Sequence, residues 1–114
     1  MAKTKYLVTR EAFIDLLNGP NQVAVIGRAL VHLFNRQTEA EQQANDTRVL
    51  NDMGFTGADG YSGCLSAKFF LKHGRLEQWQ IDRWMKPNKN GVPRIAKYWK
   101  QMDEEAKKKA KKAA

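Results

Sequence analysis

Apolar residues recur at intervals of three and four along most of this chain, the spacing that places side chains on one face of a helix. In "VTREAFIDLLNGP", Phe13, Leu16 and Leu17 share such a face. Thr9 is placed to cap the helix, Glu11 suits its positive end, and Val8 can staple onto Phe13 before Asn18-Gly19-Pro20 stops it. "NQVAVIGRALVHLFN" carries the clearest core stripe: Val23, Ile26, Leu30, Leu33 and Phe34 fall together, with Arg28, His32 and Asn35 opposite. "VAVI" alone would suit a strand, but the continuing period favours helix.

The stretch "QTEAEQQANDTRVLNDMG" is polar, with a thin apolar side of Ala40, Ala44, Val49, Leu50 and Met53. Thr38 and Glu41 match a capping box and Gly54 a helix stop, so it reads as a surface helix or an ordered irregular stretch. "GYSGCLSAKFFLKHG" is expected to be helical, with Asp59 as its N-cap and Gly74 just beyond its end. Its apolar positions form two stripes, Leu65 with Phe69 and Cys64 with Ala67 and Leu71, and Lys68 and Lys72 fall between them. Lysines so placed either snorkel along a packed surface or mark a charged groove.

"RLEQWQIDRWMKP" predicts a further short helix ending at Pro87, and "NKNGVP" a turn. In "RIAKYWKQMDEEAKKKAKKAA", Ile95, Tyr98, Trp99 and Met102 form an apolar stripe, and Arg94, Lys97 and Lys100 point away from it. Asp103, Glu104 and Glu105 precede Lys107, Lys108 and Lys109 by four residues, the favourable order for helix ion pairs. The pattern therefore predicts an all-α chain: one compact bundle of about five short helices over residues 1–102, with a Lys-rich helical tail over 103–114.

Charge changes this picture. The 114 residues carry a net charge of +8, unevenly placed. Residues 1–59 hold six Lys and Arg against seven Asp and Glu, whereas residues 60–102 hold nine against two. A basic half beside a near-neutral half points to a polyanionic partner, most often nucleic acid. Lys68, Lys72, Arg75, Arg83, Lys86, Lys89, Arg94, Lys97 and Lys100 are the candidate phosphate contacts. Tyr98 and Trp99 sit at core spacing; Trp79 and Trp84 share no tidy face, so one of them is expected outside, and Trp84 is the stacking candidate.

Enzymatic constellations are scarce. His32, His73 and the lone Cys64 have no triad or metal-ligand spacing, and no pair of carboxylates has a context that would raise one of them for acid catalysis. A non-enzymatic protein without metal or cofactor is expected. The opening residues lack the apolar run of a secretory signal, and "VAVIGRALVHLF" is interrupted by Arg28 and His32 and too short to span a bilayer, so a cytoplasmic protein with no membrane partner is expected.

"GFTGADGYSG" places glycine at 54, 57, 60 and 63. It lacks the lysine and preceding strand of a phosphate-binding P-loop, the spacing of a dinucleotide fingerprint, and the flanking fold of a KH clamp. It reads as a connection between helices, with Phe55 pinned inward. Any anion site here lies at the helix start near Gly60 and Tyr61, beside Lys68 and Lys72, in competition with Asp59 as a cap.

Three groups of residues carry a resemblance: Leu33, Phe34, Arg36, Gln37, Thr38 and Glu41; Asn51, Gly54, Phe55 and Asp59; Gly74, Leu76 and Gln80. Their pattern, LF-x-RQT-x-x-E, N-x-x-GF-x-x-x-D and G-x-L-x-x-x-Q, resembles a small module appended to phage and bacterial DNA-processing proteins, and it covers under half of the chain. The resemblance implies a phage-type accessory protein acting near DNA, which favours DNA over RNA as the partner. It supplies no catalytic residue. It implies that Gln37, Thr38, Glu41, Asn51 and Asp59 form a polar network. The alternative reading is a modulator or inhibitor that docks on a host or phage protein of nucleic-acid metabolism, or on a host defence enzyme.

Overall fold

The computed structural model describes residues 7–37 and 54–113, and the regular structure of these residues is all helical. The described helices are α1 (Arg10–Leu17), α2 (Gln22–Asn35), α3 (Gly60–His73), α4 (Gln78–Met85) and α5 (Trp99–Ala113). Short 3-10 turns, Gly57–Asp59 and Arg94–Tyr98, lead into α3 and α5. The expectations for Ala40, Ala44, Val49, Leu50 and Met53, and for the Thr38–Glu41 capping box, lie outside the described residues.

Local chemistry sets the ends of these helices. Thr9 Oγ1 accepts the N–H of Ala12 at 3.1 Å, as its capping position predicts. Gly74 ends α3 in the left-handed region at φ +67, with its N–H on Phe70 O at 2.8 Å. Glu77 and Gln80 form a reciprocal capping box at the start of α4, which uses two of the donors a helix start leaves unpaired.

The core gathers Phe13 and Leu17 of α1, Ile26, Leu30 and Leu33 of α2, Trp84 of α4, and Ile95 and Met102 of the last segment. α2 and α3 are its principal pair. They meet closely at Gly27, where an added Cβ would land on the Phe70 ring of α3. Gly63 of α3 makes similar room for Phe55 of the preceding segment, whose ring an added Cβ would meet at 2.5 Å. The buried side of α3 is accordingly Gly60, Gly63, Cys64, Ser66 and Ala67. This corrects the second apolar stripe, because Leu71 is 58% exposed. Leu16 is 56% exposed as well, because Phe13 and Leu17 set the rotation of α1.

The apolar stripe predicted for the last helix runs through the 3-10 turn into α5, with Ile95 and Tyr98 buried in the turn and Met102 in the helix. The i,i+4 ion-pair ladder forms only in part. Lys107 Nζ reaches Asp103 at 3.0 Å and Lys108 pairs with Glu105 at 3.5 Å, but Glu104 turns to Arg36 at 3.0 Å. Asp103 is itself buried, because its Oδ1 accepts the N–H groups of Leu7 at 2.6 Å and Val8 at 2.9 Å.

Candidate functional site

The segment from Gly54 to Asp59 is held from both sides. Gly54 takes φ +80 and lies where a Cβ would strike the Gln37 side chain, so the position requires glycine twice over. Gln37 Oε1 accepts the Phe55 N–H at 2.9 Å. Across the segment, Gln101 Oε1 accepts the Gly54 N–H at 2.8 Å and Gln101 Nε2 donates to Gly54 O at 2.9 Å. The same Gln101 oxygen takes Arg36 NH1 at 3.1 Å. Phe55 then enters the core edge-on to Tyr98, with ring centroids 6.0 Å apart.

Asp59 closes the segment and is fully buried. It occupies the cap position of α3, but its side chain caps nothing there. This corrects the expected N-cap. The carboxylate faces the 3-10 turn before α5 instead: Oδ1 accepts Arg94 Nε at 2.7 Å and pairs with Arg94 NH2 at 2.5 Å. Oδ2 accepts the Tyr98 hydroxyl at 2.5 Å and pairs with Lys97 Nζ at 2.7 Å. Arg83 NH2 stands 3.9 Å from Oδ1. Burial alone would raise the Asp59 pKa, but the bonds from Lys97, Tyr98 and Arg94 outweigh it and hold the carboxyl below its ordinary value. Burial and the Asp59 charge together push the Tyr98 phenol upward, so it remains a donor. The Tyr98 oxygen in turn accepts the Thr56 N–H at 3.1 Å.

One carboxylate thus holds Arg94 and Lys97 in short contacts and keeps Arg83 nearby. Each of these three side chains remains a third or more exposed, which makes them a fixed cationic patch facing outward. Arg83 also lies over the Trp84 ring at 5.6 Å, and its Nε is buried with no hydrogen-bond partner among the described residues. Two recesses border the patch. One, of about 440 Å³, lies beside Gly54, Thr56, Lys97, Tyr98, Lys100 and Gln101. The other, of about 280 Å³, lies beside Lys86, Arg94 and Lys97.

The structure therefore brings together part of the basic set. Arg83, Arg94 and Lys97 meet at Asp59; Lys86 and Lys100 border the adjoining recesses; Lys89 is exposed on the loop between α4 and the second 3-10 turn. Arg94, Lys97 and Lys100 lie off the apolar stripe, as their spacing predicts, and the first two are in addition held by Asp59. Lys68, Lys72 and Arg75 lie on α3 and the turn after it and line neither recess. Lys68 Nζ sits 5.8 Å from the Phe34 ring, Lys72 is exposed, and Arg75 pairs with Glu77 at 3.5 Å. Trp84 is corrected as a stacking residue: it is fully buried, and its Nε1 donates to Ser66 Oγ at 3.2 Å. Trp79 is the exposed one.

Of the expected polar network, Gln37 and Asp59 fasten the two ends of one segment, while Thr38, Glu41 and Asn51 lie outside the described residues. Tyr98, Gln101 and Arg36 are members that the sequence reading missed. A signal was present: Arg94, Lys97, Tyr98 and Gln101 follow the i, i+3, i+4, i+7 spacing of a single helix face. A buried tyrosine also needs a partner for its hydroxyl.

The helix start at Gly60 offers less than expected. Gly60 is buried and its N–H bonds to Gly57 O. Cys64 is buried, and the His73 ring packs on Phe69 with centroids 4.4 Å apart. His32 is half-buried, and its pKa is lowered by burial and by Lys109, with further repulsion from Arg28 and Arg36 against the opposing pull of Glu105. Among the described residues no group of His, Cys, Asp and Glu is arranged to hold a metal ion, and no helix is long and apolar enough to cross a membrane. No family model, curated protein or solved structure matches the chain.

Proposed function

We propose that the protein is a small, basic, non-enzymatic accessory protein of phage type that binds nucleic acid, DNA rather than RNA, through its C-terminal half. The observation that supports this most directly is the set of three cations gathered on buried Asp59. Arginine and lysine side chains ordinarily lose rotamer freedom when they bind phosphate. Here the buried carboxylate has already restricted Arg94 and Lys97, and it offsets only one of the charges around it. Lys86, Lys89 and Lys100 extend the positive surface on either side. The module resemblance and the charge contrast between the two halves of the chain favour a DNA-linked role at a cytoplasmic site.

Fluorescence anisotropy with labelled single-stranded DNA, duplex DNA and RNA tests the proposal at two salt concentrations. Affinity for DNA is expected to exceed that for RNA and to fall steeply with salt, with a slope of about −0.7 to −0.9 per phosphate neutralised. Absence of binding to any nucleic acid at low salt overturns it.

A second reading, docking on a protein of nucleic-acid metabolism, draws support from a groove of about 230 Å³ where α1, α2 and α5 meet. Its floor includes Phe13, Ala29 and Met102, and Arg28 and Lys109 stand at its edge. A stoichiometric protein partner retained after nuclease treatment of a bacterial lysate favours this reading over the first.

A further inference from the structure

The loop after α4 is rich in asparagine and glycine, yet it is closely tied. Asn88 Oδ1 accepts the N–H groups of Asn90 at 2.8 Å and Val92 at 3.1 Å. Asn88 N donates to Val92 O at 2.9 Å, Arg94 N donates to Lys86 O at 3.0 Å, and Gly91 supplies the turn at φ +78. Pro87 and Pro93 are bridged across the base of the loop. This loop forms one wall of the recess of about 280 Å³, and the 3-10 turn carrying Arg94 and Lys97 forms the other.

The recess has two chemically distinct sides. Pro87 and Val92 present apolar surface, with Pro93 buried behind them, and Lys86, Arg94 and Lys97 present positive charge, while no acidic side chain among the described residues lines it. Arg94 commits Nε and NH2 to Asp59, and Lys97 commits one bond, so the NH1 group of Arg94 and the remaining Nζ protons of Lys97 stand outside those contacts. A flat basic surface would suit any polyanion. A walled notch with an apolar side and a cationic side suits something smaller: a charged oxyanion carried on a compact, less polar body. Its volume is close to the lower end, about 300 Å³, of typical small-ligand sites.

We propose that this recess holds a single phosphate-bearing nucleotide unit, with the phosphate on Lys86, Arg94 and Lys97 and the sugar or base against Pro87 and Val92. The proposal rests on the nucleic-acid reading and deepens it. Entry into a walled notch requires an unstacked nucleotide, so a single strand or a free nucleotide fits and an intact duplex does not.

The test is a two-dimensional ¹H–¹⁵N NMR titration with deoxythymidine 5′-monophosphate, inorganic phosphate and a short single-stranded deoxyoligonucleotide. Saturable shifts centred on the amides of residues 88–97 are expected with the nucleotide or the oligonucleotide. Saturation by the mononucleotide alone identifies a free-nucleotide site; saturation by the oligonucleotide only identifies a strand site. Lys86→Gln, at an exposed position clear of Asp59, is expected to weaken that binding about ten-fold, the loss of one charge-assisted bond. Lys111→Gln removes the same charge from α5 and is expected to change it less than about two-fold. Equal effects of the two substitutions, shifts spread over the basic surface without saturation, or inorganic phosphate binding as tightly as the nucleotide overturns the recess proposal while oligonucleotide binding sustains the broader reading. No response to either the mononucleotide or the oligonucleotide at low salt overturns the recess proposal, and no binding of any nucleic acid in the anisotropy titration overturns both.

Discussion

Tyr98 and Asp59, thirty-nine positions apart, are joined by a hydroxyl-to-carboxylate hydrogen bond of 2.5 Å between two buried side chains. The bond ties the turn before α5 to the turn before α3. Tyr98→Phe keeps the ring against Phe55 but removes both this donor and the acceptor for Thr56 N–H. The loss is expected to be about 1–3 kcal/mol, the range for leaving a buried polar group unsatisfied, and urea denaturation measures it. Asp59→Asn removes the charge that Arg94 and Lys97 share, and is expected to cost more, about 3 kcal/mol or above. A smaller loss for Asp59→Asn than for Tyr98→Phe would show that the cations contribute little to holding the fold.

Acid should expose the same charges. Asp59 and Asp103 both have folded-state pKa values held below the ordinary carboxyl range. For Asp103, burial acts to raise the value, and the bonds from Val8, Lys107 and Leu7 more than reverse it. A depressed folded pKa means that the unfolded chain binds protons first, so the stabilisation is present above the unfolded value of about 3.9 and is lost as pH falls through the lower folded values. Thermal melts from pH 7 to pH 2 should therefore show a steep loss below about pH 4. The gap between the native chain and Asp103→Asn should narrow over that window. A gap that stays constant would locate the effect of Asp103 elsewhere than in its charge.

Glycine at the α2–α3 contact is required by space. Gly27→Ala places a methyl group against the Phe70 ring, which must move for the helices to stay in register. Overpacking of this kind costs about 1–3 kcal/mol, whereas alanine in a helix interior is otherwise favoured over glycine by about 1 kcal/mol. Net destabilisation by chemical denaturation is the expected result, and a more stable variant would mean that Phe70 yields freely.

Trp79 and Trp84 should separate by fluorescence. Trp84 is fully enclosed and Trp79 is 59% exposed, so iodide is expected to quench Trp79 much the more strongly of the two. Trp79→Ala should remove that component and change stability by no more than about 0.5 kcal/mol, while Trp84→Ala should cost about 3–5 kcal/mol. Matching stability losses in the two variants would contradict the placement of one ring inside and one outside.

Much of the fold was legible because helices announce themselves locally. Thr9, Gly74 and the stripe of Ile26, Leu30 and Leu33 do in the structure what their spacing implies. Exposure was harder to read where one helix has more apolar positions than its neighbours can cover. Leu16 and Leu71 lie outside because Phe13 with Leu17, and the small-residue face of α3, settle how each helix is turned. The candidate site was half legible. The basic residues were visible as charge, but a carboxylate at a helix start reads as a cap whether or not it becomes one. What redirects Asp59 is a set of partners 35 to 39 positions later, brought there by tertiary packing that no local window contains.

The bond from Asp103 to the N–H groups of Leu7 and Val8 bears on the order in which the molecule can be made. Those donors belong to the first described residues, and their acceptor lies 96 and 95 positions further on. The clasps on Gly54 and Asp59 also wait for Arg94, Tyr98 and Gln101. During synthesis α1 and α2 leave the ribosome before the acceptor of the Leu7 and Val8 bonds has been made. The final helix thereby latches the two ends of the described chain together, and a chain stalled before residue 103 lacks that bond between them.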